Sequence, residues 1–344
     1  MKEVSLTGIR DMQVQDQTRP EIKGALDVLL KVKEVGVCGS DVHYFETGRI
    51  GDQIIEYPFL VGHECSATVE AVGTGVTRVK PGDRVAVDPA IPCFECDQCR
   101  AGRQHTCREL LFLGCPGQVD GCLCEYLIMP ETSCFLLQDN VSFTQGVLSE
   151  PLAIAIYAVL QAQVKPGMRV GVLGSGPIGL SCLVSAQAEG AEDCYVTDLI
   201  EARLAVARAQ GATWAGNPES EDVVKVIQEA EPGGLDVVFE CAGQPETVDQ
   251  AIDLLKPGGK LMLIGIPRVD SLELPIHTMR RKEITLVNVR RQNECTQMAL
   301  DWMAQGRVQV DFMKTHVFPM ARTGEAFDLV AGYGDGVIKA LIEF

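Results

Sequence analysis

Residues 170–198 read VGVLGSGPIGLSCLVSAQAEGAEDCYVTD, and the order of residue types within them decides the fold. A short apolar run at 170–173 enters Gly174-Ser175-Gly176-Pro177-Ile178-Gly179, a Leu/Val/Ala-rich helical pattern follows, and a second short run ends on Asp198. The pattern is strand, glycine turn, helix, strand, acidic tip. Gly174 permits the tight turn, Gly176 lets the backbone approach a pyrophosphate, and Gly179 lets the helix pack close on the strand. The helix start offers free N–H groups and a positive dipole end to phosphates. Asp198, about 20 residues past the glycines, can accept hydrogen bonds from an adenosine ribose. Its charge would repel a 2′-phosphate, which favours NAD over NADP. A bare GxGxxG can be no more than a glycine turn; the strand–helix–strand frame makes it a dinucleotide motif.

The alternation continues outward. A helix is expected at 201–210, a buried strand at 236–241, a helix at 245–255 and strands at 260–265 and 284–289. Such βα alternation predicts a doubly wound parallel sheet. Arg290 and Arg291 follow its last strand, at the end where such sheets bind ligands; a helix at 294–305 comes next. Upstream, Ser149-Glu150-Pro151 opens a helical run through 160, with Pro151 suited to the first helical position. Glu150 reads either as a buried functional group or as a first-turn charge favoured by the dipole. The closing residues, 336–344, carry a strand pattern expected to return to the first half of the chain.

That first half reads as β-rich, with strand patterns at 27–37, 65–72 and 79–87 punctuated by glycine turns, and suggests a compact barrel-like domain. Two of its loops carry donors: Cys38 with Ser40 and His43 close behind, then His63-Glu64. A thiolate, an imidazole and a carboxylate suit Zn²⁺ with one position open. Singly, each has a dull reading as core thiol, turn histidine or solvated charge; together they point to metal. Cys93-x2-Cys96-x2-Cys99-x7-Cys107 is the strongest local metal signal, four thiolates able to wrap one tetrahedral ion. An iron–sulfur cluster is the rival reading. A ferredoxin run continues after three residues with Cys-Pro, whereas Cys107 follows after seven and precedes Arg108, which favours a closed structural zinc site.

The bulk numbers set limits. The 344 residues suit two domains, each with a full core. Thirty basic against 47 acidic residues give a net charge of −17, which argues against nucleic acid or an anionic membrane as partner. No signal peptide or membrane-length apolar run is read from the sequence, so a cytoplasmic protein without membrane contact is expected. Fourteen cysteines in a chain of this kind point to metal rather than disulfides, with Cys182, Cys194 and Cys241 expected as buried free thiols.

Taken together, VGVCGSDVHYFETGRIG, YPFLVGHE, VKPGDRVAVDP, the four-cysteine segment, LSEPLAIAIYA, VLGSGPIGL, VTDLIEAR and GVIKALIEF resemble the zinc-dependent medium-chain dehydrogenase/reductase superfamily, in its polyol (sorbitol, xylitol, L-iditol) dehydrogenase branch. The match runs along nearly the whole chain. It implies an α/β fold, a Rossmann doubly wound parallel sheet inserted in a GroES-like β-barrel catalytic domain, divided as 1–148 with 280–344 and 149–279. By resemblance Cys38, His63 and Glu64 bind a catalytic zinc, and Glu150 binds it directly or through its water. Ser40 and His43 stand at proton-relay positions. Tyr44, Phe112, Glu150 and Arg290 are substrate-pocket candidates. The cofactor side gathers Gly174, Gly176, Pro177, Ile178, Gly179, Asp198, Gly265 and Val289, with Arg203 beside the ribose.

The implied reaction is reversible, zinc-dependent oxidation of a secondary polyol hydroxyl to a ketose by NAD, in a homotetramer or homodimer with one catalytic and one structural zinc. One departure bears on the substrate: Arg291 stands where sorbitol dehydrogenases often carry an aromatic residue. A second guanidinium can bind phosphate or carboxylate, which keeps a sugar-alcohol phosphate open as substrate; an inositol, galactitol or a threonine-type substrate stays open beside it. A non-catalytic NAD-binding protein would have no reason to keep Cys38, Ser40, His63, Glu64 and Glu150 as a set, and a zinc-independent quinone reductase is disfavoured on the same ground.

Overall fold

A computed structural model describes all residues, Met1–Phe344. The chain forms two compact units. One comprises Met1–Glu150, Thr296–Gly306 and Val310–Phe344; the other comprises Pro151–Cys295 and Arg307–Gln309.

The second unit holds a six-stranded sheet whose spatial order is Trp214–Gly216, Asp193–Thr197, Arg169–Leu173, Leu235–Glu240, Leu255–Leu263, Thr285–Asn288, every pair parallel. Numbered along the chain this is 3-2-1-4-5-6, the order of a Rossmann sheet. Its central strands are apolar without alternation: Val170, Val172, Val237, Val238 and Leu261 are all buried. That pattern is what a parallel sheet covered on both faces requires. The glycine turn falls between the strand Arg169–Leu173 and the helix Pro177–Ala188, with Gly176 at the N-cap and Pro177 in the first turn.

This topology moves the expected domain boundary. Thr285–Asn288 pairs with Leu255–Leu263, so the second unit runs to Cys295 rather than ending at 279. At its other end the helix expected to open near Ser149 begins at Phe143 and runs unbroken to Ala162, with Pro151 inside it. Apolar residues on both sides of Pro151, among them Val147, Leu148, Leu152 and Ile156, are fully buried and carry the helix through. This helix is also long and apolar enough by composition to span a membrane, contrary to the reading that no run approaches one; most of it is buried within the fold.

The first unit is built around the strand Asp27–Gly36. It pairs antiparallel with Glu64–Val72, Tyr126–Pro130 and the C-terminal strand Lys339–Glu343, which returns from the far end of the chain. The ladders give a seven-stranded sheet over a core that includes Val35, Phe45, Val61, Leu123, Phe327 and Ile342. Gly36 closes two ladders at once, facing Glu64 on one side and Leu341 on the other. The helix Gly39–Thr47 starts directly beyond it, with Cys38 at its N-cap.

Candidate metal centres and cofactor site

Three donors meet at the end of that central strand. The ligand atoms of Cys38, His63 and Glu64 all lie within 4.8 Å of one another. Each is held by a group from elsewhere in the first unit. Ser40 Oγ donates to Cys38 Sγ at 3.2 Å. His63 Nδ1 faces Asp41 Oδ1 at 3.2 Å, an oxygen that also accepts the Gly62 N–H at 3.3 Å. Phe112 packs its ring against the imidazole, centroids 5.5 Å apart. Burial disfavours an imidazolium here, but the Asp41 carboxylate and the Cys38 sulfur outweigh it and hold the His63 pKa well above its ordinary value.

Glu64 is 1% exposed and Lys339 2%. Lys339 Nζ donates to both carboxylate oxygens, at 2.8 and 2.7 Å, and to the Val37 carbonyl at 3.3 Å. A side chain at Gly36 would collide with the Glu64 carboxylate, so the bare glycine makes the space in which the pair forms. Burial opposes the ammonium charge, yet Glu64 and Cys38 keep the Lys339 pKa above the usual lysine value. A lone buried carboxylate beside a thiolate would be costly; the lysine removes that cost.

Glu150, 8% exposed, stands outside the tight trio but within its electrostatic reach. Burial raises its pKa to about 7, with the charges of His63, Glu64, Lys339 and Asp88 also acting on it. Ser40 and His43 share the helix Gly39–Thr47. Tyr44 on that helix is 4% exposed, its ring edge-on to Phe59 at 5.7 Å and its hydroxyl donating to Gln53 Oε1 at 3.3 Å.

The second cluster is local. Cys93, Cys96, Cys99 and Cys107 bring all four sulfurs within 4.8 Å of one another, and no cysteine in the chain is in a disulfide. The Cys107 sulfur lies 3.4 Å from that of Cys93 and 3.9 Å from that of Cys96. A tetrahedron of thiolates about 2.3 Å from a zinc ion has edges of about 3.8 Å, so the four match that cage. Backbone N–H groups of Cys93, Cys96 and Glu109 donate to the sulfurs. Burial pushes the Cys99 thiol up to about 12, while backbone N–H groups of Arg108 and Cys99 pull Cys96 down to about 6.

In the second unit the motif glycines stand where each is needed. A Cβ at Gly179 would overlap the Gly174 carbonyl, and Gly174 itself has φ 94°. A Cβ at Gly176 would meet only the Arg203 guanidinium, at 3.5 Å. Asp198 Oδ2 accepts the Ser175 N–H at 2.7 Å and Oδ1 accepts the Ile200 N–H at 2.9 Å, tying the acidic tip to the glycine turn. Gly265 and Val289 follow neighbouring parallel strands: the Gly265 N–H donates to the Glu240 carbonyl at 3.0 Å, that of Val289 to the Leu263 carbonyl at 2.9 Å. Arg290 is exposed, and Arg291 has φ 54°. Cys182 and Cys194 are buried as expected, whereas Cys241 is only half-buried.

Three residues beyond the expected set emerge. Asp41 orients His63, Lys339 neutralises Glu64, and Glu240, 1% exposed, accepts the N–H groups of Ala242 and Gly243 and the Thr247 hydroxyl. A charged residue inside an apolar strand pattern, as in GVIKALIEF, is the signal that would have found Lys339.

Comparison with known proteins agrees with the fold. Residues 24–139 match the alcohol dehydrogenase GroES-like domain and residues 177–305 match the zinc-binding dehydrogenase family. Sorbitol dehydrogenase of Bacillus subtilis is 33% identical, over 99% of this chain and 97% of its own. D-xylulose reductase A of Aspergillus oryzae is 35% identical, over 98% and 95%. The crystal structure of galactitol-1-phosphate dehydrogenase from Escherichia coli, 28% identical, superposes with a TM-score of 0.91 over the full length of both chains. The chain belongs to the zinc-dependent medium-chain dehydrogenase family, in its polyol dehydrogenase branch. It is an alcohol dehydrogenase of that class, an enzyme that uses zinc and a nicotinamide cofactor.

Proposed function

We propose that this enzyme oxidises a secondary hydroxyl of a polyol to a ketone with NAD, reversibly, at the site formed by Cys38, His63 and Glu64. The supporting observation is the trio itself: three protein donors with a dedicated partner for each, leaving a fourth tetrahedral position open. Zn²⁺ bound there supplies a Lewis acid that lowers the pKa of a substrate hydroxyl, and NAD supplies the hydride acceptor.

The residues do the rest. Asp41 keeps a proton on His63 Nδ1, so that Nε2 is free as a donor to metal. Lys339 fixes the Glu64 carboxylate and offsets its charge. Ser40 orients the Cys38 sulfur and, with His43 one turn on, offers a hydroxyl and an imidazole to carry the substrate proton outward. Glu150, raised to about 7 by burial, is matched to hold a proton near neutrality, and it would meet the metal directly or through its water. Phe112 walls the site beside His63.

We further assign the four-cysteine cluster to a second, structural zinc, since protein fills every position. NAD is preferred over NADP because Asp198 places a carboxylate at the end of its strand. Cofactor contacts are assigned to the turn Gly174–Gly179 with Pro177 and Ile178, to Arg203, and to the backbone at Gly265 and Val289. We also propose self-association as a dimer or tetramer, as the family resemblance implies.

A second reading, a phosphorylated sugar alcohol, is favoured by Arg290 and Arg291 at a strand's C-terminal end and by the likeness to galactitol-1-phosphate dehydrogenase. Initial rates of NAD reduction by zinc-replete enzyme, with sorbitol, xylitol, galactitol, inositol, threonine and the sugar-alcohol phosphates, decide between them. Preference for a free polyol supports the first reading; preference for a phosphate ester replaces it with the second. No turnover of any alcohol would remove both.

A further inference from the structure

The helix Gly39–Thr47 sets Ser40 and Tyr44 four residues apart, on one face. Ser40 rests on the Cys38 sulfur, so Tyr44 continues the same wall one turn away. Its hydroxyl donates to Gln53 Oε1 at 3.3 Å, and Gln53 Nε2 donates to Cys115 Sγ at 3.0 Å. Cys115 closes the turn that begins at Phe112, its N–H on the Phe112 carbonyl at 3.3 Å, and the Phe112 ring lies on His63. A chain of hydrogen bonds, Tyr44 to Gln53 to Cys115, therefore joins the wall beneath Ser40 to the wall beneath Phe112. Each end rests on a residue that touches one of the three donors.

Gln53 sits on the short strand Gln53–Ile54 and is half-buried rather than sealed in the core. An amide has two N–H groups and two lone pairs on its oxygen. The two bonds above use one of each, which leaves one donor and one acceptor. A thiol is a weak acceptor, so the bond to Cys115 aims the amide without saturating it. A polyol hydroxyl both donates and accepts, and it can meet both remaining valences at once.

We infer that Gln53 is a specificity-determining residue that reads the substrate's hydroxyls beyond the reacting carbon, with Tyr44 and Cys115 as the positioning residues that aim its amide. The inference rests on the polyol reading above. Gln53→Leu keeps the volume and removes both valences. In zinc-replete enzyme the KM for sorbitol should rise about tenfold with kcat within about twofold, the effect of one lost hydrogen bond to substrate. The constants for 2,3-butanediol, which lacks the further hydroxyls, should stay within about twofold, and zinc content and NADH binding by fluorescence should not change. Gln53→Asn, which withdraws the amide by one methylene, carries the same expectation if the leucine variant does not accumulate. An unchanged sorbitol KM, or a loss shared equally by both substrates or accompanied by lost zinc, overturns the inference while leaving the polyol reading intact. A wild-type enzyme inert toward every free polyol, sorbitol, xylitol, galactitol and inositol alike, overturns both.

Discussion

The two candidate metal centres of the first unit are built in opposite ways. The four-cysteine cluster takes every donor, and the backbone N–H groups that support them, from one stretch of chain, residues 93–109. The trio takes its donors from the start of one helix and the start of one strand; Ser40 supports Cys38 locally, but the supports of the other two come from farther away, Asp41 on the helix for His63 and Lys339, 275 residues from Glu64. A loop that folds around its own ion can close every position, and such a site suits structure. An open site must hold three donors apart in a fixed arrangement without help from a fourth, and that rigidity has to come from the surrounding fold.

The sharpest way to break the contrast is to remove a distant support. Lys339→Met strips the cation from a buried pair, and leaving Glu64 uncompensated should cost about 3–5 kcal/mol of unfolding stability in urea. Metal affinity at the trio should fall about 10–100-fold, measured by competition with a chromophoric chelator. Cys96→Ser should act on the other centre alone. One zinc per chain should be lost and the thermal midpoint lowered by several degrees, while kcat of the remaining folded enzyme stays within about threefold. The smallest effect belongs to neither centre. The backbone N–H groups of Thr77 and Arg78 donate to Glu131 at 2.8 and 2.9 Å and hold its pKa below the ordinary glutamate value. A depressed folded pKa contributes stability that is present above the unfolded value, about 4.3, and is lost as pH falls through the folded one. Glu131→Gln should therefore lower stability by about 1 kcal/mol at pH 7 and show a shallower decline between pH 5 and 3.

The same contrast explains what could be read along the chain. The four-cysteine spacing is a complete description of a local site, and the glycine turn with Asp198 is nearly so. Cys38, His63 and Glu64 were legible only as a set, because each alone has an ordinary explanation. Asp41 and Lys339 carry no local mark of their partners: Lys339 meets Glu64 because two ladders converge on Gly36, a matter of register between strands at opposite ends of the chain. The same holds for the boundary near 280, which moved because Thr285–Asn288 completes the parallel sheet, and for Pro151, which flanking buried residues keep inside a long helix. Local patterns named the elements, and pairing between distant elements decided where they ended.

We propose that the open trio performs the chemistry and the closed cluster does not. Polyol oxidation by Cys38→Ala, measured beside wild type with NADH binding followed in parallel, tests it most directly. Turnover should fall at least about a thousandfold, with NADH affinity within about threefold of wild type because the glycine turn and Asp198 lie in the other unit. Full activity in Cys38→Ala would contradict it.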